Sequence, residues 1–188
     1  MRLNASGVSV RNFFRLASGV DVTPTAHQLA LRPNLWNENR LRTEHPGSAH
    51  TEADDIWLLF NKLTSTDVLN DLDVVPYRAW GELVHLRGLV LDVMRRVEGV
   101  QLGRVVVTRL KPGAKISPHA DGGKPTEYYT RYQIVLQSQP GCIFRCGDER
   151  VEFKTGDVWW FNNRIEHEVL NESQDDRIVC IIDVRRLD

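Results

Sequence analysis

A chain of 188 residues with a formal net charge of -1 can bury one sizeable core, and it has no long-range field to draw it to nucleic acid or to an anionic membrane. Apolar residues make up 41% and charged residues 26%, and no apolar run is long enough to cross a bilayer, so neither a nucleic-acid nor a membrane partner is expected. Three cysteines, Cys142, Cys146 and Cys180, cannot all pair, which points to reduced thiols and a cytoplasmic setting.

The opening stretch, MRLNASGVSVRNFFRLASGV, has no compact apolar segment, so a secretory signal is not expected. Residues 1 to about 55 are weakly periodic and carry Pro24, Pro33 and Pro46. Leu29-Ala30-Leu31 and Ile56-Trp57-Leu58-Leu59-Phe60 are short apolar runs with polar flanks, and both read as strands. The polar segment between them is unusually long. Such loops often carry function, and a plain surface loop is the competing reading. Trp36 to Asp55 is expected to form one wall of a pocket. His45 and His50 within it lack partner spacing and are expected to be solvated.

Leu83, Leu86, Leu89, Val90, Val93, Met94 and Val97 recur at three and four residues, which predicts a helix from about Ala79 to Glu98, ended by Gly99. Strands are expected from there on. Arg104 to Leu110 is β-branched and Tyr128 to Leu136 alternates. Cys142 to Arg145, Val151 to Lys154, Asp157 to Phe161, Glu166 to Leu170 and Ile178 to Val184 follow, with Pro- and Gly-containing turns between them. Short strands at that rhythm imply a mainly β, jelly-roll-like double sheet, one sheet being covered by the helix. Cys142 and Cys146 make a poor zinc site and read as strand residues. Gly122 to Thr126 reads as a mobile lid.

The chemistry concentrates in His119-Ala120-Asp121, His167 and Arg177. Residues i and i+2 of a strand share a side, so His119 and Asp121 can reach one metal from a strand end. His167 must return on another strand. Two imidazoles and one carboxylate can take one face of an octahedral Fe(II) and leave three positions for other ligands. Arg177 is a rigid cationic fork suited to a dicarboxylate. The turn at Asn171 to Asp176 is expected to join two antiparallel strands and so bring Arg177 beside His167. A lone His-x-Asp is common by chance; the combination in this order on predicted strands is far more specific.

From about residue 100 to 185 the chain resembles the iron(II)- and 2-oxoglutarate-dependent oxygenases, and more closely the aspartyl/asparaginyl β-hydroxylase family. The stretches that carry the likeness are LKPGAKISPHAD, YTRYQIVL, GDVWWFNNRIEHEVLNES and DDRIVCIIDV. The resemblance implies a double-stranded β-helix with an N-terminal α-helical support. Residues 1-188 would then form a single oxygenase domain, with 1-100 as support and substrate-side segment and 101-188 as the core that carries the metal site. It implies Fe(II) held by His119, Asp121 and His167, and the far carboxylate of 2-oxoglutarate held by Arg177. Animal members of the family lack the carboxylate ligand; Asp121 completes the triad here and argues against halogenation. Gln133 stands where the family often has a co-substrate-binding His, and an amide can donate the same hydrogen bond.

Arg131 should share the face of Gln133 and meet a substrate carboxylate, a surface salt bridge being the alternative. Trp160 is the strand aromatic expected to line the substrate pocket. Asn163 reads as a turn residue. The implied reaction uses dioxygen to hydroxylate an unactivated C–H bond of an aspartyl, asparaginyl or other amino-acid substrate, free or within a peptide or protein. Two other classes remain: a cupin-like metal enzyme that does not use 2-oxoglutarate, and a non-catalytic jelly-roll binding module.

Overall fold

The computed structural model describes residues 11–187; the first ten residues of the stretch read as lacking a secretory signal lie outside them. The described elements run β1 (Phe13–Ala17), α1 (Thr23–Ala30), α2 (Leu41–Glu44), β2 (Ala53–Asn61), β3 (Val74–Pro76), α3 (Arg78–Glu82), α4 (Val84–Arg96), β4 (Gly99–Leu110), β5 (Lys115–His119), α5 (Gly123–Tyr128), β6 (Thr130–Gln137), β7 (Cys142–Cys146), β8 (Glu149–Glu152), β9 (Val158–Phe161), β10 (His167–Asn171) and β11 (Arg177–Arg186). The larger sheet has the order β1-β9-β6-β11-β4-β2-β3 and the smaller one β5-β10-β7-β8. All pairings are antiparallel. This is the double-stranded β-helix that the family resemblance implied.

Alternation along the strands of the larger sheet sorts its two faces. On one face Val105, Val107, Ile134, Val158, Cys180 and Ile182 pack with Leu86, Val90 and Val93 of α4. The helix is therefore the cover that its three-and-four spacing predicted. On the other face Val135, Phe161, Val179 and Ile181 meet Ile116, Phe144, Cys146 and Val169 of the smaller sheet. The same face carries Arg131, Gln133 and Arg177, which puts them between the sheets.

Several local expectations change. The run Leu29-Ala30-Leu31 is not a strand; it ends α1, where Pro24 fits the first turn and Thr25 and Leu29, four apart, are the buried residues. Three apolar residues are too few to tell a strand from a helix. Phe13–Ala17, unassigned from sequence, is the edge strand paired with β9. The predicted helix over 79–98 is two helices, broken at fully buried Leu83 (φ -95°, ψ 62°). Apolar periodicity runs through the break and hides it. Gly99 does not supply the positive φ that ends the helix; Glu98 does, at φ 55°, and Gly99 opens β4. A Cβ on Gly99 would come within 2.3 Å of Val184 Cγ1, so its role is close approach of the strand. Gly122 to Thr126 leads into α5, with Pro125 and Thr126 buried rather than free as a lid.

The largest change concerns β10 and β11. They do not pair: β10 lies in the smaller sheet between β5 and β7, and β11 in the larger one between β4 and β6. The intervening turn crosses between sheets. Buried Asn171 pins it, its Nδ2 donating to Leu110 O and Asp175 O, both at 2.8 Å, and its Oδ1 accepting from Ser173 Oγ at 2.6 Å and Cys142 Sγ at 3.1 Å. Cys142 and Cys146 are buried strand residues, and no disulfide forms.

Candidate active site

His119 closes β5 and His167 opens β10, and the two are direct cross-strand partners with ring centroids 4.3 Å apart. Asp121 follows β5 by two residues. Its backbone N–H donates to Asn163 O at 2.9 Å. Ligand atoms of His119, Asp121 and His167 all lie within 4.8 Å of one another.

The side-chain chemistry fits a divalent metal. Each imidazole Nδ1 lies against a backbone carbonyl, Ser117 O at 2.8 Å for His119 and Ile165 O at 2.9 Å for His167. A carbonyl can only accept, so Nδ1 carries the proton and Nε2 keeps its lone pair. Burial pushes His167 down to about 4, against the pull of Asp121, so the ring is neutral near pH 7. Burial alone would raise Asp121, but the Arg131 guanidinium and its other neighbours hold it below the usual carboxylate range. Asp121 Oδ2 accepts from Arg131 Nη1 at 2.6 Å and from Asn163 Nδ2 at 2.9 Å. Oδ1 is left on the side of His119 Nε2, 3.6 Å away.

Arg177 reaches the same pocket from the opposite sheet. It is only 2% exposed. Among the described residues no carboxylate lies within ion-pair reach of it. Its guanidinium sits 5.8 Å from the Phe144 ring and 6.0 Å from Phe153, and Nη2 lies 3.4 Å from Gln133 Oε1. Burial lowers its pKa to about 10. A buried cation normally has an anionic partner, so this one favours binding an anion. Arg177, Gln133, His119 and His167 line one small inner chamber with Phe144 and Phe161. It adjoins an outer cleft of about 340 Å³ lined by His119, Asp121, Arg131, Arg42, His50 and Arg104, among others.

Arg131 faces the triad, as its place on β6 required, but its cation is already matched inside the protein. Nε and Nη2 donate to the two oxygens of Asp183 at 2.8 and 3.0 Å, and Nη1 takes Asp121. These internal partners stand in place of the surface salt bridge that was the alternative reading for it. Trp160 is on the wrong face. Trp159 and Phe161 point between the sheets, whereas Trp160 lines a groove on the other side with Tyr132, Phe14 and Arg186. Period-two alternation makes the two tryptophans face opposite ways.

Four contributors escaped the sequence reading. His50 is not solvated; its ring lies 4.9 Å from that of His119, and burial holds its pKa well below the ordinary histidine value. Arg42 donates to both oxygens of Asp55 at 2.9 and 2.7 Å. Asn163 is more than a turn residue, since it grips Asp121. Arg104 stands on the site-facing side of β4 with Val106 and Thr108; that alternation was its only available signal. The 45–52 segment brings His50 in by lying along β5, where Ser117 N–H donates to Ala49 O at 3.0 Å and Lys115 N–H to Glu52 Oε2 at 3.1 Å.

The sequence model of the aspartyl/asparaginyl beta-hydroxylase family matches residues 82–187, which hold the triad, Arg177 and both sheets' central strands. The chain belongs to that family. It is accordingly one of a family of hydroxylases. The aspartyl/asparaginyl beta-hydroxylases of Mus musculus and Homo sapiens are each 28% identical over 96 residues, 50% of this chain but only 13% and 12% of those proteins. The match therefore spans about an eighth of each relative's length. Among solved structures, a prolyl hydroxylase from Trichoplax adhaerens in complex with a hypoxia inducible factor peptide fragment aligns with a TM-score of 0.59 at 12% identity, over 93% of this chain and 83% of that one. A Pseudomonas putida prolyl-4-hydroxylase aligns with a TM-score of 0.52 at 15% identity, over 95% of each chain. These likenesses concern the fold. No helix among the described residues is long and apolar enough to cross a membrane.

Proposed function

We propose that this family member is an Fe(II)- and 2-oxoglutarate-dependent dioxygenase that hydroxylates an unactivated C–H bond of an amino-acid substrate, free or within a peptide or protein. The observation that carries the reading is the joining, in one pocket, of a two-His, one-carboxylate face to a buried guanidinium that has no carboxylate partner among the described residues. A cupin-like enzyme without 2-oxoglutarate would have no use for Arg177, and a binding module would have no use for the intact triad.

His119, Asp121 and His167 would hold the metal, which with 2-oxoglutarate and dioxygen supplies the oxidising chemistry and leaves succinate and carbon dioxide. Arg177 orients the co-substrate by its far carboxylate. Gln133 Oε1 steadies the guanidinium, and its amide N–H group is available to the same ligand. Phe144, Phe161 and Val179 exclude water from the inner chamber, which strengthens the charge pairing there. Arg131 and Asn163 are positioning residues that present Asp121 with one oxygen free. We assign the walls of the outer cleft, Arg42 and His50 of the 36–55 segment included, to the substrate. The buried, unpaired thiols of Cys142, Cys146 and Cys180 support a reducing, cytoplasmic setting.

The test is succinate release from 2-oxoglutarate by the purified protein with Fe(II), compared with His167→Ala. The parent should release succinate only with iron and oxygen present, and the variant should lose both iron affinity and release. Succinate formed equally by His167→Ala, or none formed by the iron-loaded parent, overturns the reading.

A further inference from the structure

Four arginines surround the pocket, and among the described residues only two have a carboxylate within ion-pair distance. Arg42 is paired with Asp55, and Arg131 with Asp121 and Asp183. Arg177 and Arg104 have no carboxylate within ion-pair reach among the described residues. Arg177 is accounted for by the co-substrate. Arg104 lines the outer cleft together with His119, Asp121 and Arg131.

Arg104 is held rigidly and with one edge free. Nε donates to Asn61 Oδ1 at 2.7 Å, and Nη2 donates to Leu69 O at 2.7 Å and Val68 O at 3.3 Å. Its guanidinium lies 4.6 Å from the Phe60 ring centroid, and Phe60 is stacked on Trp57 at 3.8 Å. These restraints fix the plane and use one side of the fork. Nη1 makes no hydrogen bond to any described residue. The charges of Asp183 and Asp121 act on Arg104 through space, but both oxygens of Asp183 and Oδ2 of Asp121 are engaged by Arg131. A preorganised guanidinium loses little freedom when it binds, so it can discriminate strongly between a carboxylate and a neutral group of the same shape.

We infer that Arg104 reads the substrate: its free Nη1 edge takes a carboxylate on the substrate and holds that group in the outer cleft while the reacting C–H bond faces the triad. The inference rests on the oxygenase reading for the position of that bond. It also shifts the recognition expected of Arg131 to a residue on another strand, because Arg131 is already neutralised.

The experiment measures binding to the Mn(II)- and 2-oxoglutarate-loaded protein by calorimetry. The probes are the N-acetyl amides of aspartate and glutamate and their neutral isosteres from asparagine and glutamine. The parent should prefer an acid over its isostere by about tenfold or more, the scale of one charged hydrogen-bonded contact. Arg104→Gln should erase the preference, and Arg104→Lys should keep part of it, since the charge survives without the fixed position that the internal hydrogen bonds give the guanidinium. Titration with 2-oxoglutarate in each variant certifies that the inner chamber is intact. A parent that binds no acid, or binds acid and amide alike, overturns the inference; so does an undiminished preference in either variant. Succinate release is read separately. A parent that makes none yet prefers acids through Arg104 sinks the oxygenase reading alone, and a parent that makes succinate without the preference sinks this inference alone.

Discussion

Arg131 and Arg177 stand on neighbouring strands of one sheet face, the first partly and the second fully buried, and the loss of water acts on them with opposite outcomes. Arg131 loses water but gains Asp121 and Asp183, and the two carboxylates raise its pKa in spite of desolvation. Arg177 loses water and, among the described residues, gains only aromatic rings and an amide oxygen, and its pKa falls. The first is a piece of architecture, a cation that fixes Asp121 and a strand. The second carries a standing electrostatic penalty, which fits a site for an anion. Residue type alone does not separate the roles; the partners do.

The comparison breaks most sharply under matched substitutions. Arg131→Met strands two buried carboxylates, so the metal-free protein should lose about 3–5 kcal/mol in urea unfolding. Arg177→Met removes an unpaired buried charge and should leave that stability unchanged or higher, while 2-oxoglutarate affinity falls by about 2–5 kcal/mol. Equal destabilisation by the two variants would erase the distinction. Asn163→Ala tests the same shell one step down. It removes a neutral hydrogen bond from Asp121 and should weaken Mn(II) binding by about 10–100-fold without large loss of fold; affinity equal to the parent would free Asn163 from the site. The smallest effect belongs to Trp160→Ala. Trp160 faces away from the pocket, so 2-oxoglutarate affinity and succinate release should both match the parent, and a clear drop in either would contradict its placement.

His119, Asp121, His167 and Arg177 were legible because i and i+2 spacing and an ordered motif survive in one dimension. The strands after residue 100 were legible because β-branched runs and Pro-Gly turns set their rhythm. The crossing between sheets at Asn171 to Asp176 was not, since a turn of that length serves a hairpin or a corner equally well. Its marker is the buried side chain of Asn171, which reads as an ordinary turn residue until its partners Leu110 and Asp175 are known. His50, Arg42 and Arg104 lie 69, 77 and 15 residues before His119 and meet it only through folding. Trp160 went wrong through parity: one residue along a strand is the other face of the sheet.

The loop that carries His50 has a second effect. β5 is one of the two outer strands of the smaller sheet, and it carries His119 at its end. An uncovered strand edge is a template on which another chain can add itself. Here the outward N–H groups of Ser117 and Lys115 are taken by Ala49 O and the Glu52 carboxylate. The segment that furnishes the pocket wall thus also closes the rim against self-association, so shortening it would endanger solubility as well as recognition.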